Sequence, residues 1–246
     1  MKRIICLLLA LTLIFTLCAC GKDSNSDKEG NGEQAKNNIK GYKVGEYITF
    51  GSYEQDGDMS NGKEDVEWII LDIKGDKALV ISKYVLDAQA YNAEYGDTTW
   101  ETCSLRQWLN NEFISLAFSA DELEKIQNTT VVAEDNEEYS VEAGNDTQDK
   151  IFLLSISEAD KYFESDEARE CKATQYAIDE GCWVNDYPDY YGNCDSWWLR
   201  SPGMAPFVAA SVECDGCISD GSIDGVGGHV GHDDYGVRPA MWIELD

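Results

Sequence analysis

Two arginines set inside tryptophan-rich runs constrain this chain most. Arg200 lies in WWLRSPG, residues 197–203, and Arg238 lies in GVRPAMWIEL, residues 236–245. A guanidinium keeps its proton, so a buried one must be paired and hydrogen-bonded. Indole faces also stack well on it. Trp197 and Trp198 precede Arg200, and Trp242 follows Arg238. The expectation is a structural keystone of Trp197, Trp198, Arg200, Arg238 and Trp242; contact with a ligand is the alternative. Strand alternation sends Trp197 and Leu199 to one side and Trp198 and Arg200 to the other. Pro202-Gly203 then ends the strand.

Short strands and a few helices fill the rest. YITFGSY, residues 47–53, reads as a strand. Residues 66–86 read as two strands around a tight Lys74-Gly75-Asp76 turn. SLRQWLNNEF has a helical apolar stripe of Leu105, Trp108, Leu109 and Phe113, with Ser104 and Gln107 as a capping box. SADELEKI opens a helix at Ser119 with Glu122 as its box partner. KIFLLSISEADKYF reads as a strand over 151–154 and a helix capped at Ser157. The class is α+β, with antiparallel strands and long loops.

The N-terminus sets the compartment. Met1, Lys2 and Arg3 precede an apolar run, residues 4–17, that matches a secretory signal and is short for a membrane span. The run closes on LCAC, which resembles a bacterial lipobox. That resemblance implies cleavage of residues 1–19 and acylation of Cys20; an uncleaved anchor is the alternative. Residues 20–40 are rich in Gly, Asn, Ser, Asp and Lys, a flexible tether reaching about 25 Å. Residues 41–246 are one domain's worth of chain. The expected location is the membrane, lipid-anchored and facing the extracytoplasmic side.

With 19 Lys+Arg against 47 Asp+Glu, the formal net charge is −28. Binding nucleic acid needs phosphate neutralisation, so this balance argues against it as a partner. Of nine cysteines, six remain after signal removal and acylation: Cys103, Cys171, Cys182, Cys194, Cys214 and Cys217. An even number outside the cell suggests disulfides, with 15 connectivities open.

Four segments together carry a resemblance: TWETCSLRQWLN, KIFLLSISEADKYF, WWLRSPG and the closing GVRPAMWIEL. They resemble an uncharacterised bacterial domain family of exported proteins, marked by WWLRSPG paired with a final GVRPALWI. That family is similar to C-type lectin-like domains, a superfamily that includes the formylglycine-generating enzymes. The resemblance implies a loop-rich lectin-like domain over residues 41–246 whose N- and C-terminal strands pair. It carries no catalytic role over. Cys214 and Cys217 precede the GVRPA strand, but their spacing departs from the oxidase cysteine pair.

Three sites compete. CDGC at 214–217 and HVGH at 229–232 give Cys214, Cys217, His229 and His232 in a C-x2-C-x11-H-x2-H pattern, close to a zinc spacing. The alternative is an Asp215-Gly216 hairpin turn with the histidines in a loop. Asp215, Asp220, Asp224, Asp233 and Asp234 have oxygens for calcium but lack EF-hand spacing. NDYPDYYGN, residues 185–193, presents Tyr187, Tyr190 and Tyr191, whose faces suit sugar rings. The expected function is non-catalytic binding of an extracellular glycan or protein, without a cofactor. A zinc or calcium domain, or an oxidase, is the alternative.

Overall fold

The computed structural model describes residues 41–187, 189–190, 192–221 and 228–245. Acylation at Cys20, the ring of Tyr191 and the oxygens of Asp224 therefore lie outside the described residues. Along the chain run β1 (Tyr47–Tyr53), β2 (Glu64–Lys74), β3 (Lys77–Ser82) and β4 (Asp87–Ala88). Next comes α1 (Ser104–Trp108), which passes through a π turn, Leu109–Phe113, into α2 (Ile114–Ala117), followed by α3 (Ala120–Lys125). β5 (Thr129–Val131) and β6 (Thr147–Asp149) lead to α4 (Ile156–Tyr162), α5 (Asp166–Arg169) and α6 (Gln175–Asp179). The last third holds β7 (Ser196–Pro202), β8 (Val208–Glu213), β9 (Ile218–Ser219), β10 (Gly228–His229), β11 (Gly236–Val237) and β12 (Ala240–Glu244).

One sheet has the order β1-β2-β3-β12, all antiparallel. A second runs β10-β8-β7-β11-β4, with β9 added to β8. β5 and β6 form a separate pair. The class is α+β. The first and last strands do not pair, contrary to expectation. The tight turn after β2 lays β3 along one side of it, and β1 takes the other. The open edge left for the returning chain is that of β3, where Trp242 faces Leu79.

Two helix starts also differ from their expected positions. The cap of α1 is Cys103, whose Sγ accepts from the Arg106 amide at 3.4 Å, while Ser104 Oγ accepts from Ala93 N. α4 starts two residues earlier than expected. Ser155 caps it, with Glu158 returning to the Ser155 amide at 3.0 Å, and Ser157 instead donates to Glu134. Ser119 and Glu122 form their box as expected. Residues 151–154 are buried but run outside any ladder, tied to β12 through the Phe152–Ala240 bridge. Among the described residues, no helix is long and apolar enough to cross a membrane.

Candidate functional site

All seven residues of β7 are buried, as expected of a central strand with both faces covered. Arg238, 1% exposed, donates from Nε to Ser82 O at 2.9 Å. Its guanidinium lies 5.0 Å from the Trp197 ring and 5.3 Å from the Phe163 ring. Arg200 donates to Leu153 O at 2.8 Å and pairs with the Glu158 carboxylate. Trp198 stacks on Tyr235 at 4.0 Å. Trp242 stands apart from these four: it is half-buried, with Lys74 Nζ 4.8 Å from its ring.

This frame fixes the base of a polar loop. Cys182 and Cys194 close it, with their sulfurs 3.0 Å apart. Asp195 N donates to Trp183 O at 2.8 Å, and Asn185 N to Asn193 O at 2.9 Å. Asn193 is buried and donates to Glu170 and to Cys214 O, holding the loop against the β8–β9 turn. Asn185 Oδ1 accepts from Tyr187 N at 2.9 Å and shapes the tip. The described residues of this loop present two aromatic side chains outward. Trp183 is 64% exposed and Tyr187 is 73% exposed. Tyr190 is half-buried, and its phenol is held above its ordinary range by burial and by the Asp215 and Asp189 carboxylates.

Trp183 was not singled out from sequence. The available signal was a lone tryptophan in an Asn/Asp/Gly-rich stretch, GCWVNDYPDYYGN, where no apolar period calls for one.

The four residues of the zinc pattern do not converge. Cys214 and Cys217 flank the β8–β9 turn, where Gly216 N donates to Glu213 O. His229 pairs with Val208 at the far end of β8. Six residues of strand separate Val208 from Cys214, about 20 Å, whereas zinc–ligand bonds are about 2 Å. His229 instead stacks on Phe207 at 5.0 Å and on His232 at 5.9 Å. His232 Nδ1 lies 3.9 Å from Asp234 Oδ1. The turn itself is the Asp215-Gly216 hairpin, with Gly216 at φ +81°. A Cβ there would sit 1.7 Å from Asp166 O, so the turn requires glycine twice over.

Every thiol with a resolved shift is held protonated at neutral pH. Burial raises Cys171, and takes Cys103 to about 12. Burial, then Cys182, raises Cys194. Partial burial with the Asp215 and Asp166 carboxylates takes Cys217 to about 11. Burial, then Asp195 and Asp215, raises Cys214. These are the conditions of poor nucleophiles.

A groove of about 400 Å³ opens elsewhere, between Lys74, Lys77, Val131, Tyr162 and Trp242.

Comparison with known proteins places the chain by sequence alone. No curated protein and no solved structure matches it. A family model described as Domain of unknown function (DUF6273) matches residues 75–245, from the β2–β3 turn through β12. By that match, which spans more than two thirds of its length, the chain belongs to the DUF6273 family.

Proposed function

We propose that this protein is a surface lipoprotein whose loop 183–190 binds an extracellular glycan without chemical change. In this reading residues 1–19 are a cleaved signal, Cys20 carries the lipid, and residues 20–40 hold the domain off the membrane. Paired or tripled acyl chains anchor stably, at about 0.8 kcal/mol per buried methylene. The observation that carries the binding role is the exposure of Trp183 and Tyr187 on a loop braced at its base. Exposed aromatics on an ordered loop give large contact area at low entropic cost. Sugar rings offer C–H faces to such rings, and their hydroxyls can donate to the neighbouring Asp186, Asp189 and Asp195 carboxylates. The acidic surround disfavours anionic ligands.

The raised thiols support the non-catalytic reading. The mainly antiparallel, loop-rich α+β arrangement supports a C-type lectin-like fold, although the parallel β7–β11 pair and the pairing of β12 with β3 depart from that pattern. A second reading places the ligand in the Trp242 groove, favoured by two lysines, Lys74 and Lys77, beside an indole in a chain of charge −28. That site would take an anionic ligand.

The test is a glycan array probed with the full chain in detergent, with metabolic palmitate labelling of the producing cells. Neutral glycans bound and label on Cys20 support the proposal. A protein ligand only, or recovery of unlabelled protein from the cytosol, overturns it.

A further inference from the structure

The loop joining β1 to β2 reads EQDGDMSNGK, residues 54–63, and Glu64 and Asp65 open β2 directly after it. Folding of the hairpin brings Glu54, Asp56 and Glu64 together. Each offers a carboxylate oxygen within 4.8 Å of the other two. Glu54 is only 4% exposed, and its Oε1 is buried with no hydrogen-bond partner. A buried carboxylate oxygen without a donor, set among other carboxylates, is costly unless a positive charge joins it.

The described residues supply no such charge. Among the described residues, no ion pair reaches Glu54, Asp56 or Glu64. The loop's one lysine, Lys63, donates instead to Leu116 O at 2.6 Å. A further carboxylate crowds the turn, since a Cβ on Gly57 would lie 2.6 Å from Asp179 Oδ2. Burial, then Glu64 and Asp56, push the Glu54 carboxyl above its ordinary range, against a smaller lowering by the Gly57 backbone N–H.

The cluster is held in place by hydrogen bonds from its own loop. Asp58 N and Asn61 Nδ2 each donate to Asp56 at 2.8 Å. Gln55 N donates to Glu64 Oε2 at 2.8 Å. Tyr176 N of α6 donates to Gln55 O at 3.0 Å, joining the loop to that helix.

The geometry points to a divalent cation site formed by Glu54, Asp56 and Glu64, and to calcium as its ion. An all-carboxylate set is hard, which selects calcium, magnesium or manganese over zinc. A hairpin loop with exposed Asp56 and backbone carbonyls suits the six to eight flexible oxygen ligands of calcium better than a strict octahedron. The bound ion would fasten the β1–β2 loop to α6. This holds whether or not the aromatic loop binds a glycan.

The test titrates calcium chloride, and separately magnesium chloride, into the chelator-stripped full chain in detergent. Titration calorimetry and thermal unfolding are the readouts. One saturable calcium site is expected, with Kd of about 10⁻⁴–10⁻³ M, the range of extracellular modules. Glu54→Gln should weaken it at least tenfold and remove the calcium-induced rise in Tm. In chelator alone the same variant should melt no lower than the native chain, because it relieves repulsion. A purely structural role for Glu54 predicts the opposite. Asp56→Asn repeats the test at the exposed position if Glu54→Gln does not fold. Calcium affinity unchanged in the variant, absence of saturable binding, or magnesium binding as tight as calcium would each overturn the assignment.

Discussion

The guanidinium of Arg238 lies 5.0 Å from the centre of the Trp197 ring, joining the two sequence runs that flank the domain's last third. Among the described residues, no carboxylate pairs with Arg238; carbonyls and aromatic faces hold its charge. Trp197→Ala removes one of those faces and opens a cavity. It should cost about 3–5 kcal/mol in urea unfolding. Arg238→Lys keeps the charge but loses the planar fork, and should cost about 2 kcal/mol.

Arg200 uses a different solution, a carboxylate partner. Glu158 pairs with it and also returns to the α4 cap. Glu158→Ala leaves a buried charge alone and should cost about 3–5 kcal/mol. Glu158→Gln retains an oxygen for the cap and should cost less. Equal losses in the two variants would contradict this division of roles.

The sulfurs of Cys182 and Cys194, 3.0 Å apart and buried, are placed to join on oxidation. Diamide takes up the two electrons and two protons, and one disulfide forms. Peptide mapping should find Cys182 linked to Cys194, with Cys103 still a thiol. A Cys214–Cys217 link in its place would contradict the geometry.

Among the described residues Cys217 is the exposed thiol, yet desolvation of its sulfur, then the Asp215 and Asp166 carboxylates, raise its pKa to about 11. Thiolate is therefore scarce at pH 8, and iodoacetamide should modify it slowly. The rate should climb about tenfold per pH unit up to the region of pH 10. Asp215→Asn weakens the local negative field and should speed the reaction at pH 8.

Much of the scaffold was legible because its signals are local. The Lys74-Gly75-Asp76 turn and the Ser119–Glu122 box each depend on neighbours in sequence. The cap of α1 was misplaced by one residue because a thiol at Cys103 does the work usually given to a hydroxyl. The zinc pattern failed for a different reason. Residues close in number, Cys214 and His229, diverge because β8 carries one to each end. The acidic cluster escaped notice because a ten-residue turn must fold before Glu54 meets Glu64. The pairing of β12 with β3, not β1, is a long-range choice that no local pattern encodes.

The central claim concerns Trp183, and one comparison tests it most directly. Affinity for the best array glycan would be measured by titration for Trp183→Ala and for Trp242→Ala. The account predicts at least tenfold weaker binding in the first, about 1.4 kcal/mol, and a change within twofold in the second. Undiminished affinity in Trp183→Ala, with binding lost in Trp242→Ala, would contradict it and move the site to the groove.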